Sequence, residues 1–168
     1  KLFDVSADLV TVGKAMSNGY PISALCGQSR IMSEIVRLGI TLTYFRSPVS
    51  MAASISTIQQ MIEIEGPTKL LRSGERLQRN VQQLSGNFQE RFELIGHPSM
   101  PDPMFKGVPE YQQQKCRELL CFAMLRKGIL TPATHHWFLS VSMSEDDIDF
   151  LSETTVEVAR EVLDKIAQ

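Results

Sequence analysis

The sequence predicts an α/β fold. Three observations carry this: two short β-prone runs near the N-terminus bounded by glycine and turn residues, apolar residues recurring at helical spacing through several longer segments, and a final alternation of helix and β-prone run that closes on a helix. With 168 residues, 43% hydrophobic and 21% charged, the chain is of globular composition and long enough to bury about two-thirds of its unfolded surface.

In chain order, Leu9 to Val12 is the first β-prone run, ended by Gly13, and Ile22 to Cys26 is the second, with Ser17-Asn18-Gly19-Tyr20-Pro21 as turn material between them. Ser29 to Leu38 predicts a short helix stopped by Gly39, and Ile40 to Phe45 an extended stretch. Ser47-Pro48 then reads as an N-cap followed by proline at the first helical position, opening a helix to about Ile64 that Gly66-Pro67 closes. From Thr68 a second long helix is expected, with Leu70, Leu77, Val81, Leu84 and Phe88 on one side and Gly74 and Gly86 weakening it. Phe92 to Ile95 suggests a strand, and Pro98 to Pro109 a loop or irregular edge. Glu110 to Lys127 is amphipathic through Cys116, Leu119, Leu120, Ala123 and Met124, with Gly128 placed as its C-terminal cap. Ile129 to Ser142 reads as strand, and Ser144-Glu145-Asp146-Asp147 opens the last helix with a capping box and acids that suit the helix dipole.

A formal net charge of -2 with scattered basic residues gives no electrostatic pull toward nucleic acid, and no apolar run approaches the roughly 18 residues needed to cross a bilayer. Cys26, Cys116 and Cys121 form an odd set without CxxC spacing, each among apolar neighbours, which points to buried thiols in a reducing cytoplasm. These features favour small-molecule chemistry. The chain opens on Lys1 and runs straight into a strand-like segment, from which a longer parent chain is expected.

Gly13-Lys14 is not a phosphate loop: Asp8 and Ala15 stand where a glycine and a hydroxyl residue are required, and an acid there repels phosphate. The wider pattern is Asp8, Gly13-Lys14, Gly19, Pro21, Ala24 and Gly27. It resembles the lysine segment of class III pyridoxal phosphate-dependent aminotransferases. The resemblance implies that Lys14 is the catalytic lysine that carries pyridoxal 5'-phosphate as a Schiff base. A second segment, Thr43-Tyr44-Phe45-Arg46-Ser47-Pro48 followed by small residues, resembles the family's Thr-aromatic-x-Gly-Asn-Pro segment. By it Thr43 is implied as a cofactor-binding residue for the phosphate, usually across a dimer interface, although Arg46 and Ser47 replace the usual glycine and asparagine.

A third set, Leu125 to Leu130, Phe138-Leu139-Ser140 and Ser144 to Asp149, is similar to the C-terminal domain of the glutamate-1-semialdehyde 2,1-aminomutase group, with Met143 where those relatives often have histidine. The resemblance implies the fold of type I PLP-dependent transferases: the end of the large-domain sheet over residues 1–47, an interdomain helix over 48–66, and a small α+β C-terminal domain over 67–168. It also implies a homodimer acting on a small-molecule amino donor or acceptor as aminotransferase or aminomutase. The upstream aspartate, stacking aromatic residue and first phosphate loop of the family are not in this sequence, so these residues alone are expected to be inactive. The competing readings are a non-catalytic truncated relative serving as a dimerisation or interaction module, and a class III racemase or decarboxylase.

His135-His136-Trp137 is read as structural, because adjacent residues of a strand point to opposite faces and no third ligand is spaced to join them. No metal site is expected. His97 reads as a loop residue, and Glu145, Asp146, Asp147 and Asp149 as acids that cap and solvate a helix.

Overall fold

In the computed structural model, which describes residues 4–39 and 45–166, the chain divides into two units after Glu65. The first begins with strands β1 (Leu9–Val12) and β2 (Ala24–Gly27), paired antiparallel with Leu9 opposite Gly27 and Val12 opposite Ala24. β2 starts two residues later than the apolar run suggested, at Ala24, which pairs with the last residue of β1, Val12. Helix α1 (Ser29–Arg37) follows, and α2 (Pro48–Glu63) starts at Pro48, with Ser47 in the N-cap position expected for it. The Ser47 side chain makes no capping bond, so the start rests on the preset backbone of Pro48.

Among the described residues of this unit, the buried side chains are all serines: Ser17, Ser50 and Ser54. Leu9, Val10, Val12 and Leu25 of the ribbon and Val49, Met51, Ile55, Ile58 and Ile62 of α2 are exposed. Apolar residues on both faces of a strand are the pattern of a sheet covered on both sides. Cys26, expected to be buried, is exposed for the same reason: it sits on this uncovered ribbon.

The second unit contains the hydrophobic core. Gly66-Pro67 does not close α2; Glu65, with φ 51, turns the chain, and Gly66-Pro67 opens helix α3 (Gly66–Ser85). Strands β3 (Phe92–Ile95) and β4 (Asp102–Phe105) pair antiparallel, and helices α4 (Glu110–Arg126) and α5 (Glu145–Ile166) complete the unit. α5 packs against both α3 and α4, while α3 lies on β3 and α4 on β4. The core joins Leu77 and Val81 of α3, Phe92 and Phe105 of the strands, Cys116, Leu120 and Met124 of α4, and Ile148, Leu151, Val158 and Val162 of α5. Phe92 and Phe105 face one another across the ribbon with ring centroids 5.1 Å apart. Ser152 and Thr155, buried on α5, donate their hydroxyls to Ile148 O and Leu151 O at 2.6 Å, so their burial leaves no orphaned donor.

Two expectations are corrected here. The proline-rich segment 98–109 contains β4, and Ile129 to Ser142 forms no strand. Pro103 is tolerated because the Lys106 N–H bonds Arg91 O, which makes Leu94 opposite Pro103 a non-hydrogen-bonded pair, so the missing proline N–H faces away from β3. Trp137 N–H and Leu139 N–H do reach Pro101 O and Ser99 O, as a third strand would. The bonds cannot be returned: Pro101 has no N–H, and the Ser99 N–H is directed to His97 Nδ1 at 3.3 Å.

Helix α4 ends in a Schellman motif at Gly128, φ 88, where Ile129 N–H bonds Met124 O and Gly128 N–H bonds Leu125 O. Helix α5 opens with the expected capping box: Ser144 N–H donates to Asp147 Oδ2 at 2.7 Å and Asp147 N–H to Ser144 Oγ at 3.1 Å. The Ser144 backbone N–H and then its hydroxyl hold the Asp147 carboxyl below the ordinary carboxylate range, and Arg76 does the same for Asp149. A carboxyl depressed in the folded state adds stability above its unfolded value and loses it as pH falls through its folded value. Ser144→Ala is therefore expected to lower the melting temperature at pH 7 and to lower it less below about pH 4. Thermal melts across that range check this; an equal deficit at pH 7 and pH 2 would contradict it.

Candidate active site

Strand β1 delivers the chain to Gly13 in an extended conformation, φ -166, and the next residue, Lys14, sits in the left-handed region with φ 53. Lys14 opens a short 3-10 turn, Lys14–Ser17, that packs against α2. Its side chain is exposed and makes no ion pair or hydrogen bond among the described residues. The turn is closed by Met16 N–H to Gly13 O, Asn18 N–H to Ala15 O and Tyr20 N–H to Ser17 O, and by the Ser17 hydroxyl donating to Tyr20 O. Asn18 and Gly19 then continue left-handed, φ 48 and 103, reversing the chain toward β2.

The far end of the hairpin explains two more residues of the segment. A Cβ on Gly27 would stand 2.5 Å from Leu9 Cδ2 and 2.6 Å from Asp8 O, so only glycine lets β2 lie this close to β1. Asp8 closes the open end: its carboxylate accepts from the Gln28 side chain at 2.7 Å and pairs with Arg30 at 3.7 Å, and its carbonyl accepts Gln28 N–H at 3.2 Å. Asp8 and Gly27 thus hold the strands in register, and the turn at the other end presents Lys14. Ser17 reads in the sequence as turn material and Gln28 carries no local signal; their places become visible only where the turn ending at Ser17 packs against α2 and Gln28 reaches Asp8.

Thr43 lies in residues 40–44, outside the described residues. Three residues after Thr43, Arg46 is left-handed at φ 60, with its guanidinium 5.1 Å from the centroid of the Phe45 ring. The chemistry of the described part fits a cofactor that offers an aldehyde: a primary amine on a strand end, reachable from solvent, with no carboxylate paired to it among the described residues.

In the second unit, His135 and His136 do not alternate across a strand, since no strand forms; their rings meet edge to face with centroids 5.7 Å apart. His136 Nδ1 is 3.6 Å from Asp102 Oδ2, whose carboxylate is held by Arg117 through two bonds of 2.7 and 2.9 Å. His97 Nδ1 lies 2.8 Å from Ser99 Oγ in its loop. Glu145 and Asp149 pair with Arg76 of α3, and Asp147 caps α5. Among the described residues no group of three His, Cys, Asp or Glu side chains is placed to hold a metal ion, and no helix is long and apolar enough to cross a membrane.

The sequence model of the family described as "Aminotransferase class-III" matches residues 1–137. The chain is 28% identical over 151 residues to an aminopentol aminotransferase of Sphingopyxis macrogoltabida, covering 90% of this chain and 35% of that protein. It is 29% identical over 173 residues to a glutamate-1-semialdehyde 2,1-aminomutase of Sulfurihydrogenibium azorense, covering 96% of this chain and 40% of that protein. Among solved structures, the PLP internal aldimine form of the FumI protein of Sphingopyxis sp. MTA144 superposes with a TM-score of 0.80 at 29% identity, over 96% of this chain and 38% of the other. The chain therefore spans less than half the length of the relatives it matches.

Proposed function

The chain belongs to the class III aminotransferases and has the α/β fold of type I PLP-dependent transferases, and from this premise we propose that the full-length protein is an aminotransferase or aminomutase. Its substrate would be an amino acid or an amino-aldehyde or keto compound, its cofactor pyridoxal phosphate, and its compartment the cytoplasm. The observation that carries the reading is Lys14, an exposed amine held in a left-handed turn at the end of β1, within the segment that resembles the family's lysine motif.

Pyridoxal phosphate supplies, when bound, a ring that draws electrons from the carbon beside the substrate nitrogen. Lys14 Nζ would anchor it covalently and, once displaced by the substrate amine, would take a proton from that carbon and return one to the product. Thr43 is proposed as a phosphate ligand, contributed across a homodimer. The division into residues 1–47, 48–66 and 67–168 as large-domain end, connecting helix and small domain is supported by burial: the first segment leaves apolar strand faces uncovered, while the last carries its own core.

Borohydride reduction of the cofactor-loaded full-length protein, followed by peptide mapping, tests this. The pyridoxyl label is expected on Lys14, and a label on any other residue overturns the assignment. Product analysis with candidate amino acids then separates transfer to a second molecule from return of the amino group to the neighbouring carbon.

A further inference from the structure

Left-handed backbone is disfavoured for a side chain such as lysine and persists only where the surrounding structure holds it. Lys14 at φ 53 is followed by Asn18 at 48 and Gly19 at 103, so the short segment that presents the amine contains three such positions. The backbone bonds across it are long, 3.2 Å for Met16 to Gly13, 3.2 Å for Asn18 to Ala15 and 3.3 Å for Tyr20 to Ser17. A shorter tie is the hydroxyl of Ser17, which donates to Tyr20 O at 2.5 Å while the Ser17 carbonyl accepts the Tyr20 N–H. Of the described residues from Lys14 to Tyr20, Ser17 is the one that is buried, with no exposed surface, and the turn it ends packs against α2.

We propose that Ser17 is the positioning residue for Lys14: fully buried at the end of a turn that packs against α2, it pins the loop to itself and so fixes the direction in which the Lys14 amine leaves β1. The inference rests on the assignment of Lys14 under the proposed function. Ser17 does not touch the reacting atoms in this account. It acts through the backbone of Lys14, and its hydroxyl is suited to that task because serine is small enough for a fully buried site and still spans to the Tyr20 carbonyl. Alanine would fit the same space without the bond, and the freed carbonyl of the exposed Tyr20 would find water, so the variant is expected to fold.

The test uses the full-length protein and Ser17→Ala, with Ser17→Cys as a near-isosteric variant that keeps a weak donor. Without cofactor, hydrogen exchange over residues 12–20 is expected to be faster in Ser17→Ala than in the wild type. With cofactor loaded, kcat is expected to fall roughly tenfold or more, since a displacement of about 1 Å can cost a hundredfold, while KM for the amino donor stays within about twofold. The pH midpoint of the cofactor's visible absorbance is expected to move, and Ser17→Cys to lie between the two. Unchanged kcat and midpoint in Ser17→Ala would overturn the proposal. So would a loss of activity that only follows a loss of folded protein. Failure of the underlying assignment is distinct: the borohydride label of the wild type would then fall elsewhere than Lys14, whatever the exchange data show.

Discussion

Lys14→Ala is expected to abolish turnover in the full-length protein, and Lys14→Arg to do the same despite keeping the charge, because neither offers an amine that can bond to an aldehyde and then carry a proton. Proton transfer by a placed side chain alone contributes about 10²–10⁴-fold, and covalent anchoring is lost with it, so kcat should fall by at least that factor. Stability should respond in the other direction to a third variant. Lys14 is exposed with φ 53, so alanine inherits the same backbone strain and, in the cofactor-free protein, should change folding by no more than about 0.5 kcal/mol. Lys14→Gly removes the strain and should stabilise the fold by about 1 kcal/mol, the lower end of the cost of a left-handed L-residue. Denaturation of the three variants beside their turnover rates checks both halves. A Lys14→Gly protein that is less stable than Lys14→Ala would mean that the left-handed backbone carries no strain.

How much of this was legible in the sequence depends on whether the determining partner lies nearby in the chain. Strand β1 and its terminal Gly13, the start of α2 at Pro48, the Gly128 cap and the Ser144–Asp147 box are local devices, and each forms where its residue types place it. Strand β4 was hidden because Pro101 and Pro103 read as loop residues, and their acceptability depends on which ladder edge they face, a property of the pairing with β3. The segment around Trp137 misled in the opposite sense. Its residues favour strand, but the neighbour it reaches, at Ser99 and Pro101, has acceptors without returning donors. At the candidate site, Lys14 stands out only through the family resemblance that Gly13, Gly19, Pro21 and Gly27 carry, whereas the proposed role of Ser17 has no local signal, because it depends on burial at the end of a turn that packs against α2.

Gly74 shows the same limit with a change of sign. From the sequence it weakens a helix, and Gly→Ala inside a helix ordinarily gains about 1 kcal/mol. In the structure α3 runs unbroken from Gly66 to Ser85, and a Cβ on Gly74 would lie 2.0 Å from Pro98 O and 2.2 Å from Pro98 C. Those atoms are backbone, so no side chain can swing aside; helix and loop must part. The loop cannot yield freely, because the adjoining Ser99 and Pro101 carbonyls hold Leu139 and Trp137, and Trp137 is 4% exposed in the core. Overpacking of this kind costs about 1–3 kcal/mol and more when backbone must shift, which outweighs the propensity gain. Gly74→Ala is therefore expected to destabilise the protein by at least about 2 kcal/mol in chemical denaturation. Gln83→Ala, exposed on the same helix, should stay within about 0.5 kcal/mol. Trp137 is the sole tryptophan of the chain, so its emission reports the displacement directly: a shift to the red is expected in Gly74→Ala and none in Gln83→Ala. A Gly74→Ala protein as stable as the wild type, with unshifted emission, would mean that α3 does not approach the Pro98 backbone this closely.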